Sequence, residues 1–295
     1  MPDRTFNYVQ MDVFASRPLE GNALAVFTDA HGLSSEEMQS IARETNLSET
    51  TFVLPRDAAV EAKEGIKVRI FTTQEELKFA GHPTLGTAWY LAASRGVDAV
   101  TLDLPVGQIP LEFRREGGRL QYGEMRQNDP TFGKVHDPEA VAKALGITIA
   151  DLDPSVPIQT VSTGMPFAMV PFRSLQTLQN FKLFWPNAAE YLGKTDAKFF
   201  YLVCREAVQP EATLHARMIF YNGEDPATGS AAGCCTGWAV QHGVLDSGKQ
   251  GMIEQGIEMR RPSKIYIRAT KSGDGVTDVR IGGSAVQVFR GEASL

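Results

Sequence analysis

Apolar and β-branched runs alternate with segments of helical spacing along the whole chain. Residues 6–14 and 23–27 predict two strands joined by a turn, and residues 50–54 and 66–71 predict two more. Gly117-Gly118 marks a hairpin between two later strands. Strands and helices that follow one another in this way predict a mixed α/β (α+β) protein.

A helix is predicted from Ser34 to about Asn46. A hydroxyl residue followed by acidic residues is typical of a capped first turn, and Met38 and Ile41 have core-facing spacing. Glu49 lies where this helix gives way to an apolar strand. A carboxyl group drawn toward the interior has a raised pKa and can exchange protons near neutral pH. Glu49 is therefore the acid/base candidate, and a solvated glutamate at a helix end is the alternative.

One motif occurs twice at a constant spacing. Residues 82–88, HPTLGTA, align without a gap on residues 225–231, DPATGSA, 143 positions later. The order of predicted elements also recurs, and chance similarity in a chain rich in glycine and alanine is the alternative. We predict two similar domains, residues 1–127 and 128–295, divided at a polar stretch that ends in Pro130, with a C-terminal segment able to pack back onto the first domain.

Each copy of the motif predicts a helix that starts at proline. Pro83 and Pro226 would occupy first helical positions, with His82 and Asp225 as the residues that cap them. The small residues that follow would let other backbone approach closely. A buried helix start attracts anions, so two of them meeting at a cleft would hold a carboxylate and stabilise an enolate-like charge. The alternative is two well-capped core helices without a binding role.

Charge and composition limit the classes of partner. The chain has 35 acidic and 29 basic residues, a formal net charge of −6. This balance argues against binding to nucleic acid or to anionic lipid. No run approaches the 18 apolar residues of a membrane span, the N-terminus lacks the pattern of a signal peptide, and the three cysteines are too few for a disulfide framework. We expect a cytoplasmic protein with reduced thiols.

Motifs for other chemistries are missing from the sequence. The five histidines and three cysteines show no zinc-ligand spacing, so no metal site is predicted. The chain contains no dinucleotide fingerprint, Walker loop or Gly-x-Ser-x-Gly elbow, and Ser230 has no support as a hydrolytic nucleophile. Cys234 and Cys235 lie in an apolar helix, where core packing is the simplest interpretation.

Together, these motifs resemble the PhzF family of phenazine-biosynthesis-like proteins. The resemblance is carried by residues 46–53 (NLSETTFV), 80–86 (AGHPTLG) and 223–231 (GEDPATGSA), and by the opening segments 11–14 (MDVF) and 21–27 (GNALAVF). It extends over nearly the whole chain. The opening hairpin, formed by the last two segments, and the three other motifs occur in order at plausible spacing, which makes the resemblance specific.

The resemblance implies a diaminopimelate-epimerase-like fold. Two pseudo-symmetric domains would each wrap a strongly curved, mostly antiparallel sheet around a central helix, with the active site in the cleft between them. It also implies a homodimer that needs no cofactor. The characterised family enzyme isomerises a dihydro-hydroxyanthranilate by moving a proton along its ring, with a glutamate as acid and base.

By motif, Glu49 corresponds to that glutamate, and His82 and Asp225 would flank the substrate as catalytic partners. The related epimerases use two cysteines at the helix starts, and no cysteine stands there in this chain. Three further positions would offer backbone or hydroxyl donors to the substrate carboxylate: Gly81, Gly229 and Ser230.

The sequence therefore predicts a cofactor-independent isomerase acting on a small carboxylated metabolite. Two alternatives remain open at this point. One is epimerisation or racemisation of an amino acid on the same scaffold, and the other is a non-catalytic member that binds a protein partner.

Overall fold

Two sets of strands, each built around one apolar helix, account for most of the chain. The computed structural model describes residues 4–221 and 223–295. Contacts divide the chain into two compact units, residues 1–126 with 282–295 and residues 127–281. The predicted division into domains of residues 1–127 and 128–295 stays a prediction. Over the described residues, no helix is both long and apolar enough to span a bilayer.

The strands are β1 (Thr5–Val13), β2 (Asn22–Phe27), β3 (Glu49–Leu54), β4 (Ile66–Phe71), β5 (Glu76–Leu77), β6 (Ala99–Leu104), β7 (Gly107–Glu116), β8 (Arg119–Arg126), β9 (Thr131–Val135), β10 (Gln159–Ser162), β11 (Pro166–Phe172), β12 (Phe199–Cys204), β13 (Leu214–Phe220), β14 (Gly223–Asp225), β15 (Gly251–Gln255), β16 (Ser263–Ser272), β17 (Gly275–Gly283) and β18 (Ala285–Ser294). The α-helices are α1 (Ser35–Thr45), α2 (Ala58–Glu64), α3 (Gly81–Arg95), α4 (Pro138–Leu145), α5 (Leu175–Asn180), α6 (Trp185–Leu192) and α7 (Gly229–Gln241).

In the first unit, one sheet curves around α3. Its strands are hydrogen-bonded in the order β18-β1-β2-β3-β4-β6-β7-β8, and β5 adds to β4. The pairs β2–β3 and β4–β6 are parallel, and the others are antiparallel. Strands from both ends and the middle of this order contact α3. One helix reaches so many strands because the sheet bends around it.

The second unit repeats this topology. Its strands follow the order β9-β10-β11-β12-β13-β15-β16, with β14 added to β13. The parallel pairs, β11–β12 and β13–β15, occupy the same places in the order as in the first unit. Helix α7 contacts β10, β11 and β16. The mixed α/β fold predicted from the sequence, with a curved sheet around a central helix in each half, is confirmed.

Small residues let each central helix pack closely against neighbouring residues of its own unit. A Cβ atom added to Gly86 in α3 would lie 2.6 Å from the Val13 side chain and 2.7 Å from the Leu24 side chain. A Cβ atom added to Gly233 in α7 would collide with Oε1 of Gln127. At both glycines the close neighbours are side chains and not the backbone that the sequence led us to expect.

Helix α1 leads the chain directly to Glu49. Ser34 caps it in a capping box with Glu37, and Met38 is among its buried residues, as predicted. The helix ends at Asn46, which adopts the left-handed conformation at φ 50° and reverses the chain direction. Strand β3 then begins at Glu49.

Candidate active site

Glu49 is the first residue of a strand in the middle of the first unit. It lies opposite Leu24 in the parallel pairing of β2 and β3. Its side chain is 16% exposed, and the four residues that follow it are buried. The carboxyl group therefore lies at the margin of the core, as the sequence predicted from the helix-to-strand junction.

His82 brings an imidazole to this carboxyl group. It is the second residue of α3 and is 4% exposed. Its Nε2 lies 3.5 Å from Oε2 of Glu49, longer than an ordinary hydrogen bond. Burial lowers the pKa of His82 to about 3, and a contact with the Ala23 backbone opposes part of this change. The imidazole is therefore neutral at pH 7.

Asn22 contacts the other nitrogen of the same imidazole. Its Nδ2 lies 3.2 Å from Nδ1 of His82, and the residue is 2% exposed. From the sequence, Asn22 is only part of a motif and has no predicted chemical role. The available signal was its position after Gly21, where φ is 68° and an added Cβ would collide with the Val13 carbonyl oxygen. That tight turn sets the direction in which Asn22 enters β2.

Asp225 lies in the second unit, at the end of β14. Its backbone pairs with Met218 of β13. Its Oδ2 accepts a hydrogen bond from the Thr228 hydroxyl at 2.6 Å, and its carbonyl oxygen accepts one from Nε2 of Gln255 at 2.7 Å. Contacts within its own unit therefore fix the position of Asp225.

Gln255 holds the segment between β14 and α7. It is fully buried, and its Nε2 donates to the Thr228 hydroxyl oxygen at 2.9 Å as well as to the Asp225 carbonyl. Its Oε1 accepts from the Tyr201 hydroxyl at 2.9 Å and from the Thr228 amide at 3.3 Å. Gln255 is not predicted from the sequence, because nothing local distinguishes a buried glutamine at a strand end from a surface glutamine.

Both helix starts differ from the prediction. Helix α3 begins at Gly81 with Ala80 as its N-cap, and α7 begins at Gly229 with Thr228 as its N-cap. The predictions that His82 and Asp225 cap these helices and that proline takes the first helical position are therefore wrong. Pro83 fits the third position because an N–H in the first turn has no intrahelical partner to lose. Asp225 remains in a strand because β14 pairs with β13 as far as this residue.

The structural repeat is therefore offset from the sequence repeat. Aligning the helix starts pairs Gly81 with Gly229, a spacing of 148 positions in place of 143. His82 then corresponds to Ser230, the half-buried second residue of α7. The amide groups of all four residues lie in first helical turns and have no partner within their own helix. Such groups can donate to a carboxylate, which is the role the resemblance implied for Gly81, Gly229 and Ser230.

Two neighbouring cysteines lie in the core of the second unit. Cys234 and Cys235 are completely buried in α7, which confirms their interpretation as core residues. Burial raises the pKa of Cys234 to about 11 and that of Cys235 further. Within residues 4–221 and 223–295, no group of three or more His, Cys, Asp or Glu side chains is arranged to bind a metal ion.

The chain is similar over nearly its whole length to proteins named as isomerases. The chain is 37% identical to the trans-2,3-dihydro-3-hydroxyanthranilate isomerase of Pseudomonas chlororaphis, over 98% of this chain and 99% of that protein. It is 36% identical, over the same shares of the two chains, to an uncharacterized isomerase of Mesorhizobium japonicum. The protein is an isomerase.

The family is equally clear. A crystal structure of a PhzF-family phenazine biosynthesis protein from Bacillus anthracis aligns with a TM-score of 0.85 at 28% identity, covering 98% of this chain and 99% of that one. The family model described as phenazine biosynthesis-like protein, PhzC-PhzF, matches residues 11–291. The chain belongs to this family, as the resemblance of its motifs indicated.

Proposed function

We propose that the protein is a cofactor-independent isomerase that moves a proton on a small carboxylate-bearing substrate, with Glu49 as general acid and base. The observation that carries the proposal is the pair formed by Glu49 and His82. A carboxyl group at the margin of the core lies 3.5 Å from a buried, neutral imidazole. The Glu49 carboxyl group can accept the proton. The His82 imidazole lies close enough to interact with this carboxyl group as its charge changes.

The reaction follows from moving one proton between two carbons. Glu49 removes a proton from a carbon next to a double bond, and the released electron pair shifts that double bond along the substrate. The proton on Glu49 then returns to the far carbon, so substrate and product have the same composition and no redox partner is needed. In the resting state, neutral His82 adds no positive charge that would weaken Glu49 as a base.

The remaining site residues have binding roles in this proposal. The amide groups of Gly81 and Gly229 and the hydroxyl of Ser230 would donate to the substrate carboxylate, and Asp225 would orient a polar group beside it. Positioned acid/base catalysis contributes about 10²–10⁴-fold in rate. Donors directed at the developing charge would supply much of the remaining acceleration.

The first substrate to test is trans-2,3-dihydro-3-hydroxyanthranilate, because a relative covering the whole chain is named for it. A shifted double bond changes the ultraviolet spectrum, and NMR of the product locates the moved hydrogen. A panel of other small carboxylates should be tested in parallel. A homodimer and a cytoplasmic location are further proposals from the sequence, and light scattering of the purified protein tests the first of them.

Variants assign the chemistry to Glu49. Glu49→Gln should reduce turnover by about 10²–10⁴-fold or more with little change in stability. Glu44→Gln, which changes an exposed glutamate of the preceding helix, should retain turnover. Turnover of Glu49→Gln at the wild-type rate would remove Glu49 from the mechanism. Inversion at Cα with solvent deuterium in that position would instead identify an epimerase. A protein that turns over no carboxylate but retains a protein partner would identify a binding role.

A further inference from the structure

Thr228 occupies the N-cap position of α7, and its hydroxyl group is engaged elsewhere. A threonine at this position usually accepts a hydrogen bond from an amide of the first helical turn. Within the part of the chain that the structure describes, the Thr228 side chain forms no such bond. Its hydroxyl group donates to Oδ2 of Asp225 at 2.6 Å and accepts from Nε2 of Gln255 at 2.9 Å. The hydroxyl group therefore joins the Asp225 carboxylate to a glutamine on β15.

Two backbone groups fix the orientation of the Gln255 side-chain amide. Its Nε2 lies 2.7 Å from the Asp225 carbonyl oxygen, which can only accept a hydrogen bond. Its Oε1 lies 3.3 Å from the Thr228 backbone nitrogen, which can only donate one. If the amide were turned over, two acceptors would oppose each other at Asp225 and two donors at Thr228. The observed orientation is therefore the one that both backbone groups allow.

Tyr201 completes the set of partners of this amide. Burial raises the pKa of Tyr201 well above its ordinary value, so its hydroxyl group keeps its proton at neutral pH. This hydroxyl group donates to Oε1 of Gln255 at 2.9 Å. Both N–H groups of the Gln255 amide and both acceptor positions of its oxygen are then in use. Because Gln255 is fully buried, bulk water does not compete for these bonds.

The hydrogen of the Thr228 hydroxyl group has one place left to go. A threonine hydroxyl group has a single hydrogen to donate. Because Nε2 of Gln255 is a donor, the Thr228 oxygen must accept at that contact, and its hydrogen is directed to the Asp225 carboxylate. A hydrogen bond to an ionised carboxylate is stronger than one between neutral groups. The Gln255 amide therefore commits the Thr228 hydroxyl group to Asp225.

We propose that Thr228 is a positioning residue that, directed by Gln255, holds the Asp225 carboxylate ionised and in one orientation for contact with the substrate. The effect on turnover rests on the proposed function, whereas the direction of the hydrogen bond does not. The role is exerted through Asp225, and Thr228 needs no contact with the substrate to perform it.

A titration tests the hydrogen bond without any substrate. Carbon-13 NMR follows the protonation of the Asp225 side-chain carboxyl group, and Asp225→Asn identifies its signal. A donated hydrogen bond favours the ionised form of a carboxyl group. The titration midpoint should therefore lie at higher pH in Thr228→Val, which keeps the shape but lacks the hydroxyl group, than in the wild-type protein and in Thr228→Ser. Equal midpoints in the wild-type protein and Thr228→Val would overturn the proposal.

The kinetics of the same variants test the positioning role. Thr228→Val should lower kcat/KM by about tenfold or more, because it removes a hydrogen bond to a charged group. Thr228→Ser retains the hydroxyl group and should stay near the wild-type value. Thr236→Val is a matched control, because it removes the buried hydroxyl group of another threonine of α7, which donates to the Ala232 carbonyl oxygen. This control should leave kcat/KM unchanged.

A double-mutant cycle separates positioning from a general loss of packing. In an Asp225→Ala background, Thr228→Val should change kcat/KM by less than about twofold, because the carboxylate on which Thr228 acts is absent. An equal loss in both backgrounds would show that Thr228 does not act through Asp225. If Glu49→Gln turns over at the wild-type rate, the proposed function fails, while the titration still decides the hydrogen bond.

Discussion

A buried histidine in the second unit predicts a pH dependence of stability. His215 is fully buried in β13, with Nδ1 2.8 Å from Glu254 and Nε2 3.2 Å from Glu258. Burial alone would lower the pKa of His215, but the hydrogen bonds and charges of these two carboxylates outweigh it and raise the pKa to about 9. Arg217, the nearby cation, is paired mainly with Glu224 at 2.8 Å and approaches Glu258 only to 3.9 Å.

The magnitude follows from the two pKa values. A histidine pKa that rises from 6.5 unfolded to about 9 folded stabilises the folded protein by about 3 kcal/mol at full protonation. The folded value is the higher one, so this contribution is complete below pH 6.5 and is lost as the pH rises through 9. Between pH 6 and pH 8 the loss is about 2 kcal/mol.

His82 acts in the opposite direction over the same range. Its folded pKa of about 3 lies below the ordinary 6.5, so its contribution is present above pH 6.5 and is lost as the pH falls toward 3. From pH 8 to pH 6 this loss is about 1 kcal/mol. The wild-type profile therefore mixes both effects, and only a difference between two proteins isolates His215.

The assay is chemical unfolding of wild-type protein and His215→Gln at pH 6, 7 and 8. Glutamine retains a donor toward Glu254 and carries no charge. The difference in unfolding free energy should shrink by about 2 kcal/mol from pH 6 to pH 8. A difference for His215→Gln that does not change with pH would refute the reasoning.

Two further predictions concern packing in the second unit. Gln255→Leu leaves the Tyr201 hydroxyl and the Asp225 carbonyl without their partner, and it should reduce the unfolding free energy by about 1–3 kcal/mol, with a lower kcat if Asp225 contacts the substrate. Gly233→Ala would displace Gln127 and its two hydrogen bonds and should cost about 2 kcal/mol in chemical unfolding. Gly275→Ala, where the nearest atom lies 3.9 Å away, should change stability by under about 0.5 kcal/mol. Equal stability of the two glycine variants would contradict the packing account.

Local signals predicted the elements that lead to Glu49. The hydroxyl and acidic residues at Ser34 form a capping box, and Asn46 supplies the left-handed residue that ends the helix. Both effects operate within a few residues, so the sequence contains them in full. The position of Glu49 at the margin of the core followed from the same reasoning.

The helix starts depended on distant parts of the chain. Asp225 has the residue type of an N-cap, but it is held in a strand by pairing with Met218 and by Gln255, thirty residues later. Asn22 contacts His82 across sixty residues of sequence. Neither contact follows from spacing or periodicity, because each depends on how the sheet curves around its helix. The offset between the sequence repeat and the structural repeat has the same origin.

The most direct test of the central claim is the rate of product formation in D₂O by wild-type protein and by Glu49→Gln, with NMR of the product from trans-2,3-dihydro-3-hydroxyanthranilate. We expect the wild-type product to have a shifted double bond and to contain, at the carbon that gains the hydrogen, solvent deuterium only to the extent that the Glu49 carboxyl group exchanges with D₂O before it returns the proton, and we expect the variant to be slower by about 10²–10⁴-fold or more. Product formed by Glu49→Gln at the wild-type rate, with the same deuterium content, would contradict the assignment of proton transfer to this glutamate.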